Sequence, residues 1–124
     1  MNNITTTIWG RELVLDIVFN FFDGNEKNES QIKALSSFIE NINQLDNCLS
    51  KVKEYCIENS NEQIKTVDNI FKYVMPKSIY VINSIDEKRT VALLCNFKFD
   101  MEHGLAIIFK NEEFSEIGDQ SLII

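Results

Sequence analysis

The stretch "TVALLCNFKFDMEHGLAIIFK" leaves this chain few ways to fold. Val91, Leu93, Cys95, Phe97 and Phe99 alternate with Thr90, Ala92, Asn96 and Lys98, and after "DMEHG" Leu105, Ile107 and Phe109 resume the same period. Successive side chains of a strand point to opposite faces, so each segment offers one apolar row to a core. A link this short cannot make a crossover, so the two strands pair antiparallel. "KSIYVINS", joined through the charged turn "DEKR", and "FSEIG", joined through "NEE", extend the pair into a C-terminal β-meander.

The same period governs "RELVLDIVFNFF", where Leu13, Leu15, Ile17, Phe19 and Phe21 oppose Glu12, Asp16 and Asn20. The β-branched "NITTTIW" precedes it across Gly10, which predicts an N-terminal hairpin. After the turn signal "DGNEKNES" the period changes to three and four. Ile32, Leu35, Phe38, Ile39, Ile42, Leu45, Cys48, Leu49, Val52, Tyr55 and Cys56 form one face of an amphipathic helix from about Glu29, with Ser30 as its cap. A break is expected near Asp46-Asn47, where two poor helix formers adjoin. A shorter helix is expected over Ile64, Val67, Ile70, Phe71 and Val74, ended by Pro76, because the residue before a proline is driven out of the helical region. The resulting fold class is α+β: an antiparallel sheet, made of the N-terminal hairpin and the C-terminal meander, packed against two or three helices in a single domain over residues 1–124.

Composition removes several classes of function. Twelve basic and nineteen acidic side chains give a net charge of −7, the wrong sign for binding nucleic acid phosphates. No apolar run is long enough to span a membrane, and "MNNITTTIWGREL" does not resemble a signal peptide, so a cytoplasmic location is expected. The three cysteines, Cys48, Cys56 and Cys95, form no CxxC pair and read as buried thiols in a reducing compartment. No phosphate loop, nucleophile elbow or nucleotide fingerprint is present, and no cofactor is expected.

The remaining chemistry lies in polar turns. "DMEHG" carries Asp100, Glu102 and His103, the last being the only histidine. As a hairpin loop it needs an Asp100 that accepts backbone N–H bonds and a Gly104 with positive φ. As a metal site, or the centre of a metal-dependent hydrolase, Asp100, Glu102 and His103 would supply hard oxygens and an imidazole. Glu102 and His103 are neighbours, however, and point apart in a strand or tight turn. A second acidic run, "NEEFSEIGD", has Glu112, Glu113, Glu116 and Asp119 without a base. The candidate partner contacts are Asp100, Glu102, His103, Glu112, Glu113 and Glu116, an acidic set suited to a basic protein. Trp9 beside Gly10 reads as a core or edge anchor, and self-association through an open sheet edge is the further possibility.

The Trp9-Gly10 hairpin, the helix opening "SQIKALSSFIEN", a proline leading into a strand, and the closing "RTVALLCNFKFDMEHGLAIIFKNEEFSEIGDQSLII" together resemble a family of small bacterial proteins of unknown function. The most distinctive part is Asp100, Glu102, His103 and Gly104, followed by the apolar strand and Ile117-Gly118. Such domains are similar to immunity proteins that protect bacteria from toxins, and the resemblance brings no catalytic residue. Together with the net charge of −7 and the absence of a catalytic constellation, it leads to the expectation of a non-enzymatic, cytoplasmic protein-binding domain, an immunity protein whose partner would be a basic toxin.

Overall fold

The structure, a computed structural model, describes residues 3–19, 29–82 and 89–123. The expected turns at 23–28 and 86–88 and Phe21 lie outside what it describes, and Ser30, expected to cap a helix, is instead a residue within the helix Glu29–Glu40. Six strands follow one another in space as they do in sequence: β1 (Asn3–Ile8), β2 (Arg11–Phe19), β3 (Val74–Ile82), β4 (Thr90–Phe97), β5 (Leu105–Lys110) and β6 (Glu113–Gly118). Between β2 and β3 run helices α1 (Glu29–Glu40), α2 (Gln44–Asn47) and α3 (Leu49–Glu58). The arrangement is the expected α+β fold with one difference. β2 and β3 are parallel, Asp16 facing Ser78 and Phe19 facing Val81, whereas the other four pairings are antiparallel. A parallel neighbour needs a long return path, and the helical segment supplies it.

Alternation places Ile8, Leu15, Ile79, Val81, Val91, Leu93, Cys95, Phe97, Leu105, Ile107 and Phe109 in one core with Ala34, Phe38, Leu45, Val52 and Cys56 of the helices. Ala92, Leu94, Ala106 and Ile108 on the reverse face are also buried, with Tyr80 and Ile123 packed against them. The middle of the sheet is therefore dry on both sides, which explains why β4 and β5 read as nearly continuous apolar runs.

The helical segment departs from expectation in three places. An unexpected first break falls at residues 41–43, and the one expected near Asp46-Asn47 falls at Cys48. At the first, the Asn41 amide is shared between the Ser37 and Phe38 carbonyls (3.2 and 3.1 Å), and its side chain also donates to Ser37 (2.9 Å). An asparagine that bonds backbone in this way competes with the helix. The buried face of α1 is rotated by one position, because Gln31 is buried and Ile32 is 45% exposed. Gln31 donates to the Val81 carbonyl at 3.4 Å, so the sheet gives it a partner that an apolar side chain could not use. The third departure is the helix expected over residues 64–74, of which only a 3₁₀ turn at Ile70–Lys72 forms. Val67, Ile70 and Val74 are buried as that pattern requires, but Val74 already pairs with Phe97 as the first residue of β3. Strand pairing overrides the weak helical preference of a segment rich in β-branched residues. Pro76 lies inside β3, next to a register shift between Pro76 and Ser78, where a missing N–H is tolerated.

Candidate functional site: a polar turn and an acidic groove

Among the described residues three hairpin turns shape the ends of the sheet, and they differ in what they expose. At the β1–β2 turn both central residues have positive φ, Trp9 at 52° and Gly10 at 83°, the type I′ geometry that matches strand twist. The Trp9 indole leaves the turn and donates to the Leu45 carbonyl at 2.7 Å, pinning the hairpin to α2. Trp9 also faces Phe71 at 6.0 Å, and the Arg11 guanidinium covers the same Phe71 ring. This is an anchor, as its position in the sequence suggests.

The β5–β6 turn is also built on two positive φ values, Asn111 at 51° and Glu112 at 67°. Glu112 takes both guanidinium bonds of Arg89, from Nε at 2.9 Å and Nη2 at 2.7 Å. Asn111 exchanges two further bonds with the Arg89 backbone. Glu112, which the sequence marks as a partner contact, is thus paired within the protein. Glu113 begins β6 and is exposed.

The β4–β5 turn is the "DMEHG" segment. Gly104 has φ +64° and donates its amide to the Asp100 carbonyl at 2.8 Å. Asp100 Oδ1 accepts the His103 amide at 3.1 Å, and the His103 Nδ1 lies 3.1 and 3.2 Å from the two carboxylate oxygens. Asp100 raises the His103 pKa by this hydrogen bond and by its charge, with Glu102 and Asp119 adding smaller effects in the same direction. Glu102 and His103 are exposed, and Asp100 is partly so. Among the described residues no three His, Cys, Asp or Glu side chains stand together as ligands for a metal ion.

The C-terminal segment locks this turn from behind. The Gln120 amide donates to the His103 carbonyl at 3.0 Å, and its side chain donates to the Cys95 carbonyl at 3.2 Å. A β-carbon on Gly104 would lie 2.5 Å from Gln120 Nε2 and 2.8 Å from the Cys95 oxygen, so only glycine fits. Just before Gln120, Asp119 caps the last 3₁₀ turn by accepting the Ser121 amide and hydroxyl, which lowers its pKa.

Beside this end of the sheet runs an open groove of about 480 Å³ between α3 and β6. Lys51, Glu54, Tyr55 and Glu58 come from α3, and Phe114, Glu116 and Ile117 from β6. The helical four are spaced i, i+3, i+4 and i+7, one continuous face. Tyr55 connects the groove to the turn. Its hydroxyl is raised in pKa first by burial and then by the charges of Asp119 and Asp100, and its ring lies tilted against Phe97 at 5.5 Å. The only lysine lining the groove, Lys51, lies with its ammonium over the Phe114 ring at 4.7 Å.

Of the six contacts expected from sequence, Asp100, Glu102 and His103 share one turn, and Glu116 lies in the neighbouring groove. Glu112 and Glu113 sit at the opposite end of β6. Glu54 and Glu58 escape a reading that follows only apolar periodicity, and the signal for them is the polar flank of the same helix, whereas Tyr55, read there as part of the apolar face, lines the groove. The cysteines offer no nucleophile. Burial pushes Cys48 and Cys56 up to about 11 and Cys95 well above its ordinary value, so none is a thiolate near neutrality. No helix among the described residues is long and apolar enough to cross a membrane.

Comparison with known proteins returns no match among curated proteins or solved structures. A family model does match, over residues 2–124, and the chain belongs to that family, described as a domain of unknown function (DUF6985).

Proposed function

We propose that this chain is a non-enzymatic, cytoplasmic protein-binding domain of bacteria, an immunity protein that neutralises a basic toxin through the α3–β6 groove and the adjoining "DMEHG" turn. The observation that carries the reading is the groove lining: Glu54, Glu58 and Glu116 around the apolar Tyr55, Phe114 and Ile117. Carboxylates placed over aromatic and aliphatic surface suit arginine and lysine side chains, which bury their stems while their charged ends find partners. The net charge of −7 would speed the encounter with a basic protein and weaken with salt.

The genomic neighbourhood gives the first check. A toxin or secretion gene is expected beside this one in several genomes, and its consistent absence counts against the proposal. The direct check is binding of that neighbouring gene's product to wild-type protein and to a Glu54→Lys, Glu116→Lys double variant. Binding should fall at least tenfold in the variant and as salt rises. Equal binding by both proteins would remove the groove from the account.

One observation favours a second reading. Asp100 holds the His103 Nδ1, which leaves Nε2 free to meet a cation in the way carboxylate-oriented histidines do. Elemental analysis of protein purified without chelator, compared with His103→Ala, decides it. Stoichiometric metal in the wild type and background metal in the variant would establish a metal site that depends on His103, and background metal in both would remove this reading.

A further inference from the structure

Among the described residues the sheet has two outer strands, and only one of them carries the usual protection against further pairing. β6, "EFSEIG", has two glutamates and a register shift opposite Ile108 and Phe109, the charge and irregularity that discourage edge pairing. β1, "NITTTI", has no charge, no proline and no register shift against β2.

The hairpin geometry determines which groups β1 leaves open. A two-residue type I′ turn makes Ile8 and Arg11 a hydrogen-bonded pair, so Thr6 with Leu13 and Ile4 with Leu15 are the next ones. The N–H and C=O groups of Ile4, Thr6 and Ile8 are therefore used within the hairpin. Those of Asn3, Thr5 and Thr7 point outward from the sheet, and the side chains of these three residues are exposed.

We infer that β1 pairs with β1 of a second copy of this chain, antiparallel and centred on Thr5, to make one continuous sheet across a two-fold axis. The register is self-complementary: Thr5 meets the second copy's Thr5, and Asn3 meets its Thr7 on both sides. All outward groups of the three residues then find partners, and each exposed side chain meets another short polar one. Charge selects this edge over β6. The nearest acids, Glu12 and Asp16 on β2, would face those of the second copy across three strand spacings, about 14 Å. That exceeds the Debye length of roughly 8 Å at physiological ionic strength, so the repulsion between two copies of charge −7 is largely screened there. The association is of the small-interface, weak and concentration-dependent kind.

Sedimentation of the full chain across micromolar to millimolar concentration tests the inference. A species of twice 14.4 kDa should grow in with concentration and form several-fold more readily at 150 mM salt than at 10 mM. Thr5→Pro removes only an outward N–H and should abolish the dimer, and Thr5→Lys, which opposes two ammonium groups on the axis, should do so without any backbone change. Thr5→Cys should cross-link under mild oxidation, because paired Cα atoms about 5.5 Å apart suit a disulfide. Thr7→Cys should not, since the two copies of that residue lie about 13 Å apart along the strands. A monomer at every concentration, a dimer indifferent to both Thr5→Pro and Thr5→Lys, or equal cross-linking by the two cysteine variants would each overturn the inference.

Discussion

The outer strands β1 and β6 bound the same sheet and differ in nearly every property that governs recognition. β6 is charged, carries a register shift and lines a groove with α3, so what it offers is side-chain chemistry. β1 is uncharged and regular, and its hairpin is pinned by Trp9, so what it offers is backbone. Salt separates the two. A basic partner in the proposed groove site would be held by charge and weakened by screening, whereas two copies meeting along β1 would be kept apart by charge and helped by screening. One fold can thus present two surfaces with opposite ionic-strength dependence, and the difference arises from a handful of side chains.

The largest expected effect lies beneath the groove. Phe97 is buried and contacts the Tyr55 and Phe99 rings at 5.5 and 5.7 Å. Phe97→Ala should cost about 3–5 kcal/mol by denaturant unfolding. A loss below about 1 kcal/mol would show that the aromatic group does not support this side of the molecule. Next comes Gly104→Ala, which combines a positive φ with a collision against the Cys95 carbonyl. It should cost about 1–3 kcal/mol. Because it disturbs Gln120 as well as the turn, it should also weaken groove binding and leave pairing at β1 intact. On the other side, Trp9→Phe deletes the bond to the Leu45 carbonyl and should cost about 0.5–1.5 kcal/mol. Thermal unfolding measures it, and an unchanged midpoint would mean that the hairpin needs no such anchor.

The smallest effect is the pH dependence of His103. Its folded pKa is raised by Asp100, so the contribution of this pair is fully present below the unfolded histidine value of about 6.5. It is lost as pH rises through the folded value. Histidine chemical shifts should therefore titrate at higher pH in the wild type than in Asp100→Asn, and the two proteins should converge in stability in alkaline solution. Identical titration curves would show that the contact between Asp100 and His103 does not persist in solution.

Much of this molecule can be read from period alone. The alternation in β2, β4 and β5 places their apolar rows, and the short "DMEHG" and "NEE" links leave only antiparallel neighbours. Gly104 and Asp100 take the conformational and bonding roles their types suggest. What period misses is set by distant residues. The parallel pairing of β2 with β3 depends on the path of the helices, and nothing local to Asp16 or Ser78 announces it. Residues 64–74 have the spacing of a helix but become a 3₁₀ turn and a strand because Val74 finds Phe97. Gln31 is buried although it breaks the apolar face, since the Val81 carbonyl accepts its side chain. The groove is harder still to foresee, as it joins the polar flank of α3 to an edge strand more than fifty residues later.

The contrast between the edges is tested most directly by amide hydrogen exchange at residue resolution, recorded at low and high protein concentration in 150 mM salt. The outward amides of Thr5 and Thr7 should become protected as concentration rises, while the edge amides of β6 keep the same exchange rates. Unchanged exchange at Thr5 and Thr7, or protection that appears at β6 instead, would contradict the division of the sheet into a self-pairing edge and a side-chain edge.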